Sequence, residues 1–166
     1  MKLSYIILGL VFYGYSFSQK NSQIVSLKPE ALLNKISENK NPAIIQFWNP
    51  NCKNVNDILK EYQLLEKKWS KTIDFYFIGI TNKESLVIKD LKQAHYNYKI
   101  YIIDVNFEKD IYKRKGKFTK EISKILKIKN NDLITLVFDR NHKVIYQGDL
   151  LKIEPYRFKE LAISKK

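Results

Sequence analysis

Two apolar spacings alternate along the chain. Short continuous runs alternate with longer stretches in which apolar residues recur every three or four positions. "SQIVSL" (22–27) reads as a short strand, and "KPEALLNKISEN" (28–39) as a helix with Pro29 in its first turn. "PAIIQFW" (42–48) is broken only by Gln46, the pattern of a strand buried on both faces. From Cys52 the apolar positions are Val55, Ile58, Leu59, Tyr62, Leu65 and Trp69. That spacing predicts a long helix starting at Cys52 with one face on a core. "IDFYFIGIT" (73–81) is another buried strand, "KESLVIKDLKQAH" (83–95) a helix and "KIYIID" (99–104) a strand. A polar, basic loop through "KRKGK" (113–117) is expected to lead into a helix at "KEISKILKI" (120–128). "LITLVFDRNHKVIYQGDL" (133–150) reads as two strands joined at the turn residues Asp139 to His142, and "IEPYRFKELAISKK" (153–166) as a closing helix.

Strands alternating with helices predict an α/β fold: a three-layer sandwich with a mixed central sheet flanked by helices. Strands joined through helices should be parallel, with right-handed crossovers. The late hairpin should add antiparallel edge strands.

Residues 1–18 stand apart. Lys2 precedes an apolar core from Tyr5 to Tyr13, followed by the small residues Ser16 and Ser18. This is the order of a secretory signal peptide, and the core is short for a membrane span of about 20 residues. Cleavage is expected after Ser18, leaving residues 19–166 as one domain, periplasmic or secreted and soluble. An uncleaved anchor is the alternative. No cysteine follows the cleavage site, which argues against a lipid-anchored amino terminus.

Composition narrows the function. Hydrophobic residues make up 45 % of the 166, enough for a real core. The net charge is +13, almost all from lysine, with arginine only at 114, 140 and 157. Specific nucleic-acid readers use arginine forks on clustered basic faces. Dispersed lysines instead predict a solvated surface, with at most loose attraction to an anionic membrane. No glycine-rich phosphate loop is present, and one cysteine with scattered His95 and His142 gives no metal-ligand spacing. No cofactor is implied. Asp104, Asp139 and Asp149 fall at strand or turn ends and suit capping.

Cys52 is the only cysteine in the chain, so an exported domain has no internal disulfide to rely on. It follows "AIIQFWNPN", directly after a buried strand. This arrangement resembles the thioredoxin superfamily, and the later order resembles its exported TlpA-like branch of thiol–disulfide oxidoreductases. That branch is similar in having an extra strand and helix, a strand ending in Asp ("YIID") and a late "FDRNxKV" hairpin. The resemblance covers nearly all of residues 19–166. It implies a thiol site at Cys52 with Phe47, Trp48, Pro50 and Asn51 around it, and a protein thiol or disulfide as partner.

The departures from the family motif FWAxWCxxC bear on activity. Val55 stands at the resolving cysteine, and Asn51 where an aromatic residue usually precedes the nucleophile. Gln46 stands at the buried acid of thioredoxins proper. Leu133 or Ile134 fills the place of the cis-proline, where a trans bond is expected because a non-proline cis bond costs about 2.5–4 kcal/mol. The peroxiredoxin threonine is replaced by Asn49. These losses remove intramolecular release of a mixed disulfide. A cysteine at a helix start lies near unpaired N–H groups and the positive end of the helix dipole, which favours the thiolate. Two readings stay open. One is residual one-cysteine thiol chemistry at Cys52. The other is a redox-inert binding module that holds an envelope protein through the old groove or the basic loop at Lys113, Arg114 and Lys115.

Overall fold

The computed structural model describes residues 23–129, 135–148 and 155–163. The expected cleavage site and positions 133 and 134 lie outside the described residues. The described strands are β1 (Ile24–Leu27), β2 (Ala43–Trp48), β3 (Asp74–Gly79), β4 (Ile100–Ile103), β5 (Thr135–Phe138) and β6 (Val144–Gly148). The described helices are α1 (Pro29–Glu38), α2 (Val55–Trp69), α3 (Glu84–Gln93), α4 (Ile111–Leu126) and α5 (Pro155–Ile163).

The six described strands form one sheet in the order β1-β4-β3-β2-β5-β6. β1 pairs parallel with β4, β4 with β3 and β3 with β2. β5 runs antiparallel to β2, and β6 antiparallel to β5. The expected mixed sheet is therefore present, with the hairpin as its antiparallel part. β2 is central and all six of its residues are buried, which is why its sequence lacks alternation.

Alternate β2 side chains feed two cores. Ile44 and Trp48 join Leu59, Tyr62, Val87, Leu91, Phe158 and Leu161, the face covered by α2, α3 and α5. Ala43, Ile45 and Phe47 join Leu32, Ile36, Phe118 and Ile122, the face covered by α1 and α4. Three layers result, and no described helix is long and apolar enough to cross a membrane.

Two expectations are corrected. The basic stretch 113–117 is helix, because α4 begins at Ile111. Asp110 caps it, its carboxylate accepting the Tyr112 N–H at 2.9 Å. Its inward face runs through Arg114, Phe118 and Ile122, all buried, so a helical stripe carries an arginine where an apolar residue is expected. The helix expected to begin at Cys52 instead begins at Val55, with Asn54 as N-cap.

Gly116 tests the first correction. It lies inside α4, its φ is not positive, and an added Cβ would meet nothing within 4 Å. Gly116→Ala should stabilise the protein by about 0.5–1 kcal/mol, since glycine in a helix interior costs that much relative to alanine. Urea unfolding measures the change; no gain would mean that this stretch is not helical in solution.

Candidate functional site

The carboxyl end of the central strand delivers the site. Phe47 and Trp48 end β2 and point to opposite faces. Phe47 meets Phe118 edge-on at 5.9 Å, and the Lys115 ammonium lies 6.0 Å from the Phe47 ring. Trp48 meets Tyr62 edge-on at 6.3 Å. The Trp48 indole Nε1 is buried with no hydrogen-bond partner among the described residues.

The next six residues form a tight turn. The Asn49 side-chain oxygen accepts the Asn51 N–H at 2.9 Å, and the Asn49 carbonyl accepts the Cys52 N–H at 3.1 Å. This Asx turn closes locally over the Asn51 and Cys52 N–H groups. The Cys52 carbonyl then accepts the Val55 N–H at 3.2 Å, and the Asn54 carbonyl accepts from Ile58 at 3.1 Å to open α2. Cys52 therefore sits in the turn, three residues before the helix, and the first-turn N–H groups lie beyond it. The helix-dipole argument for its reactivity loses its geometric basis, because that effect is confined to the first turn.

Cys52 is exposed, as are its neighbours Asn51 and Lys53. Pro50 is buried and anchors the turn against Gly79 at the end of β3. A Cβ on Gly79 would stand 3.2 Å from Pro50 Cγ and 3.3 Å from the Trp48 ring. Glycine is needed there for close approach. Val55, three residues after Cys52, is half-buried and packs on the α2 side of the core.

Gln46 is buried beneath this turn, level with Thr135 of β5. The Thr135 hydroxyl donates to Gln46 Oε1, and Gln46 Nε2 donates to the Phe47 carbonyl at 3.2 Å. The position is a satisfied neutral amide. Thr135 directly follows Ile134, so β5 returns the chain beside β2 close to this site.

The histidines do not join Cys52. His142 lies in the β5–β6 turn with Nε2 2.9 Å from the Asn39 carbonyl, near the start of β2, whereas Cys52 follows its end. His95 is exposed after α3. Among the described residues no three His, Cys, Asp or Glu side chains are placed to hold a metal ion.

Arg114 is the site component that a reading of the sequence misses. It is 1 % exposed, and its guanidinium donates to the carbonyls of Glu108 (2.5 Å), Thr81 (3.0 Å) and Lys109 (3.1 Å). It ties the loops after β3 and β4 to α4. It is neither in a loop nor free to bind a partner. Lys113 is held near Asp110 at 3.7 Å. Of the three cations expected to serve a binding module, Arg114 is thus taken up inside the protein, while Lys113 stays exposed and Lys115 half-buried. The signal in the sequence is the interval Ile111, Arg114, Phe118, Ile122 behind the capping Asp110.

A parallel core with an antiparallel hairpin, helices on both faces and a cysteine turn at the end of the central strand is the thioredoxin-like fold. Two solved structures share it. A thioredoxin-like protein solved in solution in its oxidised form aligns with a TM-score of 0.53 at 11 % identity, covering 84 % of this chain and 86 % of that one. A thiol:disulfide interchange protein of the thioredoxin family from Chlorobium tepidum TLS aligns with a TM-score of 0.52 at 15 % identity, covering 76 % and 82 %. No family model and no curated protein matches the sequence.

Arg114→Met should destabilise the protein by about 3 kcal/mol, since the buried Thr81 carbonyl and the part-buried carbonyls of Glu108 and Lys109 lose their donor. Arg114→Lys should recover little, because one ammonium cannot serve three carbonyls set for a planar fork. Thermal unfolding of both variants checks this; full stability of the lysine variant would show that charge alone suffices.

Proposed function

We propose that this protein is an exported, TlpA-like member of the thioredoxin superfamily that uses Cys52 as a single thiol toward protein partners. The observation that carries the reading is the exposed Cys52 at the end of the central strand, with Val55 where a second thiol would stand. The Cys52 thiolate attacks one sulfur of a partner's disulfide. A new S–S bond forms, the partner's other sulfur leaves as a thiolate, and the pair persists as a mixed disulfide. Release requires an external thiol, because no second cysteine exists in the chain. No cofactor is needed for this exchange. Phe47, Trp48, Pro50 and Asn51 shape the surface around the thiol, and Leu133 and Ile134, which directly precede β5 in the sequence, lie outside the described residues.

A three-member series tests the chemistry. With a disulfide-bonded peptide, the wild type should form a one-to-one covalent adduct that reductant releases, and Cys52→Ser none. Val55→Cys should close an internal disulfide yet remain a poor insulin reductase, because Gln46 still cannot take a proton. Absence of an adduct with native wild type would overturn the redox reading and leave the binding-module one. Insulin reduction by Val55→Cys at the level of a true thioredoxin would show that Val55 alone silences the site.

Export rests on residues 1–18, whose order is that of a signal peptide. Loose contact with an anionic membrane surface follows from the lysine excess, without specific nucleic-acid binding. The mass of the protein isolated from its host should correspond to a chain beginning at Gln19; retention of Met1 would contradict cleavage.

A further inference from the structure

The far end of the sheet holds a second set of polar groups. β3 and β4 pair only at Ile78–Tyr101 and Gly79–Ile102. Below that register the strands part. Gln23 draws the approach to β4 toward β1: its Nε2 donates to the carbonyls of Tyr96 and Tyr98, the latter at 3.0 Å, while its own carbonyl accepts from Ile100 at 2.9 Å. The parting leaves a cavity of about 240 Å³, lined among others by Glu66, Asp74, Tyr76, Tyr98 and Tyr101.

Its acids lack counterions. Glu66 of α2 is only 7 % exposed, and no hydrogen bond or ion pair from a described residue reaches its carboxylate. Asp74 uses Oδ1 to accept from Asn41 at 3.2 Å, while its Oδ2 is buried with no partner. Buried carboxylates in proteins are ordinarily paired. Lys99 also lines the cavity, but it is exposed and forms no ion pair with either acid. The walls are aromatic: the Tyr76 and Tyr101 rings lie 5.3 Å apart. Two carboxylates beside tyrosine faces suit a cation that is both a hydrogen-bond donor and partly apolar. A hard metal ion wants six or more oxygens, which this lining does not converge.

We propose that the cavity between β3 and β4 is a binding site for a small organic cation of the alkylammonium class, with Glu66 and Asp74 as its anionic partners. Burial, and then the neighbouring Asp74, raise the Glu66 pKa to about 7. Around Glu66 stand Asp74, Tyr96, Tyr98 and Tyr101 from the strands and the segment between α3 and β4, Tyr62 from α2 itself and Lys99 at the rim. Ligand affinity should rise from pH 6 to pH 8 as Glu66 loses its proton.

The test uses the full chain and butylammonium chloride, with butanol, butyrate and sodium chloride as controls, read by NMR shifts of the tyrosine rings. Expected is saturable binding of butylammonium alone, stronger at pH 8 than at pH 6, and weakened at least about tenfold in Glu66→Gln and in Asp74→Asn. Cys52→Ser should bind normally, so this site can fail while the thiol reading stands. Fold is checked by melting. Glu66 holds its proton more tightly folded than unfolded, so it lowers stability as pH rises from about 4.5 to about 7. Glu66→Gln should therefore melt above wild type at pH 8, and that advantage should fade toward pH 4.5. Absence of saturable binding, equal binding of butanol, equal competition by sodium, or unchanged affinity in folded Glu66→Gln and Asp74→Asn would each overturn the proposal.

Discussion

A guanidinium buried without a carboxylate is the constraint on which the arrangement of the cysteine end depends. Arg114 reaches three backbone carbonyls, on Thr81, Glu108 and Lys109, that no strand or helix ladder uses. Its charge is offset by aimed carbonyl dipoles, each a charge-assisted bond stronger than a neutral one. The consequence spreads along the chain. Thr81 is held two residues after Gly79, and Gly79 is where Pro50 and the Trp48 ring press. The Ile80 N–H donates to the Trp48 carbonyl at 3.2 Å, so the ends of β2 and β3 are locked together just before the cysteine turn. From the first turn of α4, Arg114 thereby holds the loop that directly follows this locked pair of strand ends.

That same residue marks the limit of reading by pattern. β2 and β3 were legible because both faces of each are apolar, and the hairpin because Asp139 to His142 carry turn chemistry. The first half of α4 was not. Lys113, Arg114, Lys115, Gly116 and Lys117 look like a charge run, and only the fold shows that one of the four cations points inward. The start of α2 was misplaced for a local reason. The apolar period begins at Val55, and the three residues before it are polar enough to sit in a helix's first turn. The Asn49 side chain diverts them by offering Asn51 a competing acceptor. Glu66 was hidden in an amphipathic helix, where a carboxylate beside Leu65 reads as solvent-facing.

On the proposed reading of Cys52 as a single thiol in a thioredoxin-like site, the residues around it form a coherent physical set. A buried acid beneath a dithiol accepts a proton when the second thiol attacks, and burying it has an energetic cost. With Cys52 the only cysteine of the chain, a buried acid there would bring no return for that cost. Gln46 fills the space with a neutral amide whose oxygen takes the Thr135 hydroxyl and whose nitrogen serves the Phe47 carbonyl. The Gln46 position is thus hydrogen-bonded and neutral, and Val55 adds apolar contact to the core of the α2 side.

The two ends of β3 therefore differ in kind. At its carboxyl end the buried groups with a described partner are Arg114, met by carbonyls, and Gln46, met by Thr135 and Phe47, and the polar group left over is the neutral indole N–H of Trp48. At its amino end Glu66 lacks a described partner and Asp74 keeps one oxygen unpaired, in an opening that the strand register itself creates. A sheet that paired β3 and β4 along their whole length would close that opening and force both carboxylates into an apolar layer. Gln23 binds the Tyr96 and Tyr98 carbonyls just before β1, on the other edge of the segment that enters β4. The parted strands keep the carboxylates beside an open cavity, and the unmet hydrogen-bond capacity of Glu66 and Asp74 is what gives that end of the fold its affinity for a cation.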